Sequence, residues 1–190
     1  MSNILLITGG GRSGKSEYAE KQVAIDRLPK NNGVLYIATA TRTDEEMEER
    51  IARHRAERPK EWLTWERHNH LSDIETEFNK NDFGTILLDC VGNLLMGILF
   101  EKIPDSESFT SGDFQLVEES AISELDSLCA FADKYDKRLV IVTNEIGLGL
   151  VPETRYSRYY RDALGRINKH LAKIADKVIF MVSGIPVELK

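Results

Sequence analysis

Residues Gly9-Gly10-Gly11-Arg12-Ser13-Gly14-Lys15-Ser16 fit the pattern G-x-x-x-x-G-K-S in full. Glycines let the chain curl so that successive backbone N–H groups point at one anion. The positive end of a following helix adds to that field, and together they hold phosphate oxygens. Lys15 is then the residue to reach the β and γ phosphates of a nucleoside triphosphate, and Ser16 the one to ligate Mg²⁺. A glycine-rich turn that merely precedes a helix would have the same spacing. The phosphate reading is preferred because an apolar strand-like run comes before the loop and a helical segment, Lys15 to Asp26, comes after it.

Three other residues have types that suit chemistry at a phosphate. Asp89 ends the apolar run Ile86-Leu87-Leu88. It is read either as a turn former or helix N-cap, or as the carboxylate that Mg²⁺ needs beyond Ser16. Glu145 follows another strand-like run and either contacts ligand or caps the loop Gly147-Leu148-Gly149. His54 shares a helical stripe with Met47, Ile51 and Arg58, spaced 4, 3 and 4, so the stripe begins apolar and turns polar at the histidine. One reading is a boundary histidine with an ordinary hydrogen bond. The other is a nucleophile, since a neutral imidazole can attack an α-phosphate and carry the nucleotide as a phosphoramidate. Arg55 and Arg58 are open between solvated charge and phosphate contact.

These residues must be positioned by elements that the hydropathy pattern outlines. Near-continuous apolar runs at Ile4–Thr8, Val34–Thr39, Thr85–Asp89, Leu139–Thr143 and Val178–Val182 suit strands covered on both faces. Trp62–Arg67 and Pro186–Lys190 are weaker strand candidates, the second at a sheet edge because Pro186 removes a donor. Thr43 to Pro59 reads as a helix, with Thr43 and Glu46 as a capping box and Glu46–Arg50 and Glu49–Arg53 as pairs on a solvated face. Tyr160, Leu164, Ile167, Leu171 and Ile174 mark a second. Pro104–Asp113 reads as an exposed loop. The alternation predicts an α/β fold: residues 1–190 as a single P-loop NTPase-type domain, with a mainly parallel sheet flanked by helices. Arg155, Arg158, Arg161 and Arg166 give the last long helix a basic face; Arg158 is read as surface and Arg161 is left open.

Composition narrows the partners. A length of 190 residues with 42% hydrophobic content supports one domain with a sizeable core. The net charge of −6 argues against a general nucleic-acid or membrane surface. Cys90 and Cys129 match no metal spacing and are read as reduced core thiols. No basic n-region opens the chain, and the longest apolar stretch, Leu94 to Phe100, is well short of the ~20 residues that span a bilayer. A cytoplasmic protein without membrane insertion is expected.

The chain also resembles the bifunctional adenosylcobinamide kinase / adenosylcobinamide-phosphate guanylyltransferases of cobalamin biosynthesis. The likeness covers nearly the whole sequence. It is carried by the Gly9–Ser16 loop, by Leu35-Tyr36-Ile37-Ala38-Thr39-Ala40, and by Arg50-Ile51-Ala52-Arg53-His54-Arg55-Ala56-Glu57-Arg58-Pro59. The most specific run is Thr143-Asn144-Glu145-Ile146-Gly147-Leu148-Gly149-Leu150-Val151-Pro152-Glu153, and Arg161-Asp162, Gly165-Arg166-Ile167-Asn168 and Val182-Ser183-Gly184 continue it. The resemblance implies phosphorylation of a corrinoid alcohol by GTP or ATP, then transfer of GMP from GTP through a guanylylated histidine, for which His54 is the matching position. It carries nucleotide contacts over to Gly9–Ser16, Ala38, Thr39, Ala40, Arg55, Ala56, Glu57, Arg58, Glu66 and Asp89. Asp89 stands where relatives have Glu, which keeps the charge and shortens the reach. Relatives form homotrimers, so the resemblance implies a homo-oligomer.

Two rival readings remain at this level. A simple P-loop small-molecule kinase would transfer only γ-phosphate and leave His54 structural. A nucleotide switch would carry an Asn-Lys-x-Asp motif, and Thr143-Asn144-Glu145-Ile146 lacks its Lys and Asp.

Overall fold

The protein is described by a computed structural model covering residues 3–25, 33–41, 45–104 and 108–190, with backbone alone at residues 25, 46, 47, 50 and 57. The proposed Thr43–Glu46 cap, the Glu46–Arg50 pair, the Met47 side chain and the end of the first helix at Asp26 lie outside the described residues.

Seven strands form one sheet: β1 (Asn3–Gly9), β2 (Val34–Ala38), β3 (Leu63–Glu66), β4 (Thr85–Asp89), β5 (Arg138–Val142), β6 (Lys177–Val182) and β7 (Ile185–Glu188). Their order across the sheet is β3-β2-β4-β5-β1-β6-β7. All pairings are parallel except β6 with β7, which is antiparallel. Both weaker strand candidates are therefore strands, and both are edges. An edge tolerates Pro186 because a missing N–H there breaks no central ladder.

The helices are α1 (Lys15–Ile25), α2 (Glu45–Glu57), α3 (Ile74–Glu77), α4 (Val91–Lys102), α5 (Ser111–Lys134) and α6 (Arg155–Ile174). Strand periodicity sorts the core into two layers. Ile4, Leu6, Leu35, Ile37, Ile86, Leu88, Leu139 and Ile141 pack with α4, α5 and α6. The alternate residues Leu5, Ile7, Tyr36, Leu87, Val140 and Val142 pack with Ala19 and Val23 of α1. Burial on both faces is why the central strands read as unbroken apolar runs.

Three expectations need correction. Pro104–Asp113 is not a loop to its end: α5 begins at Ser111, and Thr110 and Asp113 close a capping box on it. Its Gly and Asp look loop-like in sequence because N-caps and turns use the same residues. Helices α4 and α5 were also not foreseen. In α4, Val91, Gly92, Leu94, Leu95, Gly97, Ile98 and Leu99 are all buried, so no polar stripe marks its period. Arg158 is not free surface: its guanidinium donates to the carbonyls of Pro152 at 3.0 Å and Glu153 at 2.6 Å and so fastens the preceding loop.

Among the described residues, no helix is long and apolar enough to cross a membrane. Cys90 is buried, Cys129 is partly buried, and neither is in a disulfide.

Candidate active site

The carboxyl ends of parallel strands lie together, and the loops that follow them share one edge of the sheet. Register makes this concrete. Glu66, Ala38, Asp89 and Val142 face one another in a single row across β3, β2, β4 and β5. Strands lie about 4.8 Å apart, so Glu66 and Asp89 flank Ala38 with roughly 10 Å between their backbones. A cavity of about 480 Å³ opens over this row, lined by Gly11, Arg12, Ser13, Gly14, Lys15, Ser16, Ala38, Ala40, His54, Arg58, Glu66 and Asp89, among others.

The Gly-rich loop is anchored from three directions. The Gly9 carbonyl accepts from Glu145 N at 2.9 Å, the Ser13 carbonyl accepts from Gly184 N at 3.1 Å, and the Gly10 carbonyl accepts from Lys15 Nζ at 2.5 Å. Gly14 has φ +87 and its carbonyl accepts from Tyr18 N at 2.9 Å, which starts α1. The buried Ser13 hydroxyl has no hydrogen-bond partner among the described residues.

Helix α2 turns Ile51 and His54 into the same cavity, and Arg58, just beyond its end, follows them. The described members of the expected stripe, Ile51, His54 and Arg58, thus line the same cavity as the phosphate loop. His54 makes no hydrogen bond among the described residues. Arg58 lies over the Tyr36 ring, 3.8 Å from its centroid, and its Nε and Nη1 are buried without partners among the described residues. Leaving such donors unsatisfied costs about 1–3 kcal/mol each, so the site favours an incoming anion.

Asp89 accepts a hydrogen bond from the Tyr36 hydroxyl at 2.7 Å. Burial first, and the Asp89 charge second, push the Tyr36 phenol far above its ordinary range, so it remains a donor. Cys90 also lines the cavity, but burial, then the charge of Asp89, push its thiol up to about 12, which leaves it protonated and no rival nucleophile.

Other expected residues are placed differently. Gly9 and Gly10, the first two residues of the loop, are not on the cavity wall. Thr39 is buried, and its hydroxyl is engaged with Cys90, donating to the carbonyl at 2.7 Å and accepting from N–H at 2.8 Å. Arg55 is exposed and pairs with Glu66 at 3.0 Å, Ala56 is exposed, and the Glu57 side chain lies outside the described residues. Glu145 takes the local role of its two readings: its carboxylate accepts from Gly147 N at 2.5 Å. On the basic face, Arg166 makes a two-pronged pair with Glu118 and Arg161 lies 3.5 Å from Asp162. Tyr36, Asn93 and Asn144 line the cavity and were not singled out as site residues. Tyr36 had a signal, since two residues before Ala38 in one strand is the same face. Asn93 had none, because α4 itself was not visible.

Among the described residues, no group of three or more His, Cys, Asp or Glu side chains could hold a metal by itself. Hydroxyls of Ser13, Ser16 and Tyr36 and carboxylates of Glu17, Glu66 and Asp89 belong to residues that line the cavity, and of these Ser16 and Asp89 are the pair expected from the sequence to serve a metal. Such a pair fits Mg²⁺, which binds through one or two carboxylates together with substrate phosphates rather than in an all-protein cage.

A Gly-rich loop between a buried strand and α1, at the carboxyl edge of a largely parallel sheet, defines a P-loop-type α/β protein. Residues 5–189 match the family described as cobinamide kinase / cobinamide phosphate guanyltransferase. The chain belongs to that family. It is 40% identical over 188 residues to the bifunctional adenosylcobalamin biosynthesis protein CobU of Escherichia coli K12, covering 98% of this chain and 99% of that one. It is 39% identical to the Salmonella typhimurium LT2 protein of the same name, covering 98% and 99%. It is also 37% identical to the bifunctional adenosylcobalamin biosynthesis protein CobP of Pseudomonas aeruginosa PAO1, covering 97% and 96%. The chain is thus an enzyme of a bifunctional kinase and guanylyltransferase family.

Proposed function

We propose that the two reactions of this family are performed in one cleft, with the Gly9–Ser16 loop holding the triphosphate and His54 carrying the transferred nucleotide. In the first, the aminopropanol hydroxyl of adenosylcobinamide attacks the γ-phosphate of GTP or ATP, its proton is lost, and the nucleoside diphosphate leaves. Lys15, the loop N–H groups and the Arg58 donors stabilise the charge that spreads over the phosphoryl oxygens. Mg²⁺, held by Ser16 and Asp89 with the phosphates, would supply further charge neutralisation.

In the second, a ring nitrogen of His54 attacks the α-phosphorus of GTP. A P–N bond forms, the α–β P–O bond breaks, pyrophosphate leaves and the ring loses its proton. A phosphate oxygen of adenosylcobinamide phosphate then displaces the histidine, the P–N bond breaks, and adenosyl-GDP-cobinamide is released. Transfer at the α-phosphorus is a separate centre from the γ-phosphate, which is why a nucleophile on a different element is needed. Glu66, Ala38, Thr39, Ala40, Arg55, Ala56 and Glu57 complete the nucleotide surroundings in this reading, Thr39 by holding the Cys90 backbone beside Asp89. The enzyme acts in the cytoplasm on small molecules, as a homotrimer.

The observation that carries the reading is that His54, 38 residues beyond the loop by number, lines the same cavity as Gly11–Ser16 and has its ring unengaged among the described residues. The test is covalent labelling with Mg²⁺ and GTP labelled at either the α or the γ phosphate. Acid-labile protein-bound label is expected from the α position only, and His54→Ala should lower it at least about 10³-fold. No covalent label, with γ-phosphate transfer to adenosylcobinamide intact, would reduce the chain to a plain kinase.

A further inference from the structure

We infer that Tyr36 is a positioning residue serving both chemistries: its hydroxyl fixes the Asp89 carboxylate on the phosphate side, while its ring seats Arg58 and with it the end of α2 that carries His54. The inference rests on the proposed roles of Asp89 and His54.

The ring itself is held firmly. Tyr36 is 2% exposed in the middle of β2, and Trp62 stacks near it with centroids 6.2 Å apart and planes at 27°. From this fixed base the hydroxyl donates to Asp89 Oδ2 at 2.7 Å. One carboxylate oxygen is thereby held, and Oδ1 is the oxygen that would serve a metal ion or its water. A short aspartate has little freedom to search for such a ligand, so its orientation has to be set by a neighbour. Partners of this kind are worth roughly 10–100-fold in metal affinity where they have been removed.

The other side of the residue acts through a different geometry. The Arg58 carbon Cζ sits 3.8 Å from the Tyr36 centroid, so the ring occupies the face of the guanidinium. Stacking consumes no N–H, because all five donors lie in the guanidinium plane. This explains how Arg58 can be well packed while its buried Nε and Nη1 stay unpartnered among the described residues. Arg58 follows Glu57, the last residue of α2, and stands four residues after His54. Both residues line the cavity, and the arginine directly follows the last turn of the helix, so fixing the arginine anchors the end of the helix that presents the histidine.

Three variants separate these links. Tyr36→Phe removes the hydroxyl and keeps the ring, Tyr36→Leu removes both, and Asp89→Asn removes the carboxylate. Mn²⁺ binding to the protein–GDP complex, read by electron paramagnetic resonance of free Mn²⁺, reports on the carboxylate without turnover. Tyr36→Phe and Asp89→Asn should each raise the half-saturating Mn²⁺ concentration by about tenfold or more. Backbone hydrogen exchange in the nucleotide-free protein reports on the seating of α2. Exchange from Ile51 to Glu57 should be unchanged in Tyr36→Phe and about fivefold faster in Tyr36→Leu, the change one cation–π contact supports. If Tyr36→Leu fails to fold, Arg58→Met repeats that arm without touching the core, with the same acceleration expected.

Each failure has its own signature. Weakened Mn²⁺ binding in Asp89→Asn but not in Tyr36→Phe overturns the hydroxyl role alone. Unchanged Mn²⁺ binding in Asp89→Asn overturns the metal-side reading of Asp89, and the hydroxyl role with it. Wild-type exchange in Tyr36→Leu or, in its place, Arg58→Met overturns the role of the ring.

Discussion

Gly9 is glycine for a reason that the loop pattern does not contain. A Cβ built there would lie 2.6 Å from the Met181 carbonyl oxygen and 2.8 Å from Ser13 Oγ, and φ is +155. The first neighbour is backbone of β6 and cannot swing aside. Gly9→Ala should therefore cost about 1–3 kcal/mol of folding stability, visible as a lower urea midpoint, and should weaken nucleotide binding by displacing the loop. At this scale the motif named the right residue for an incomplete reason: it gave the need to curl, and the tertiary packing adds the need for closeness. Thr39 makes the same point from the other side. Its place in a family-like run suggested a nucleotide contact, but only the arrival of Cys90, the residue between β4 and α4, shows that both functions of its hydroxyl are already engaged.

Elements were legible where one face was apolar and the other polar, and illegible where burial was all round. Helix α6 announced itself by Leu164, Ile167 and Leu171, all fully buried on one side. Helix α4 is buried on most sides and its sequence reads as a featureless apolar stretch. Helix α5 is marked by its cap instead. The Thr110 hydroxyl accepts from Asp113 N at 3.3 Å, while Thr110 N and the Thr110 hydroxyl both donate to Asp113 Oδ2 at 2.8 Å. Thr110→Ala should destabilise the protein by about 1 kcal/mol in thermal or denaturant unfolding. The donations from Thr110, the backbone one first, hold the Asp113 carboxyl below its usual range. A depressed folded pKa means that this stabilisation is complete above the unfolded value near about 4 and is lost as the pH falls through the lower folded value. Asp113→Asn should accordingly show less loss of thermal midpoint than the wild type between about pH 5 and pH 2.

At the scale of the whole molecule, some large apolar side chains among the described residues lie outside the core. Leu148 is 81% exposed, Leu150 97% and Val151 65%, in the loop that leaves β5 beside the cavity. Contiguous exposed apolar side chains on a folded chain mark a surface that another molecule covers. With the trimer proposed above, light scattering should return the mass of three chains of 21.6 kDa. Leu150→Ser should lower that mass or raise the concentration needed to reach it, while changing the stability of the separated chain by no more than about 0.5 kcal/mol, since so exposed a side chain buries almost nothing. What the sequence determined by itself is local: the Gly9–Ser16 curl, the buried parallel strands, the Ile51-His54-Arg58 stripe and the acidic end of β4. Each is written in neighbours or in a short period, which propensity and sterics fix without reference to the rest of the chain. What only the tertiary structure decided is which of these meet. That Glu66, Ala38 and Asp89 share a row, that Tyr36 bridges Asp89 and Arg58, and that His54 and Ser16 line one cavity are decided by how the chain packs, because contacts between residues tens of positions apart depend on every intervening element.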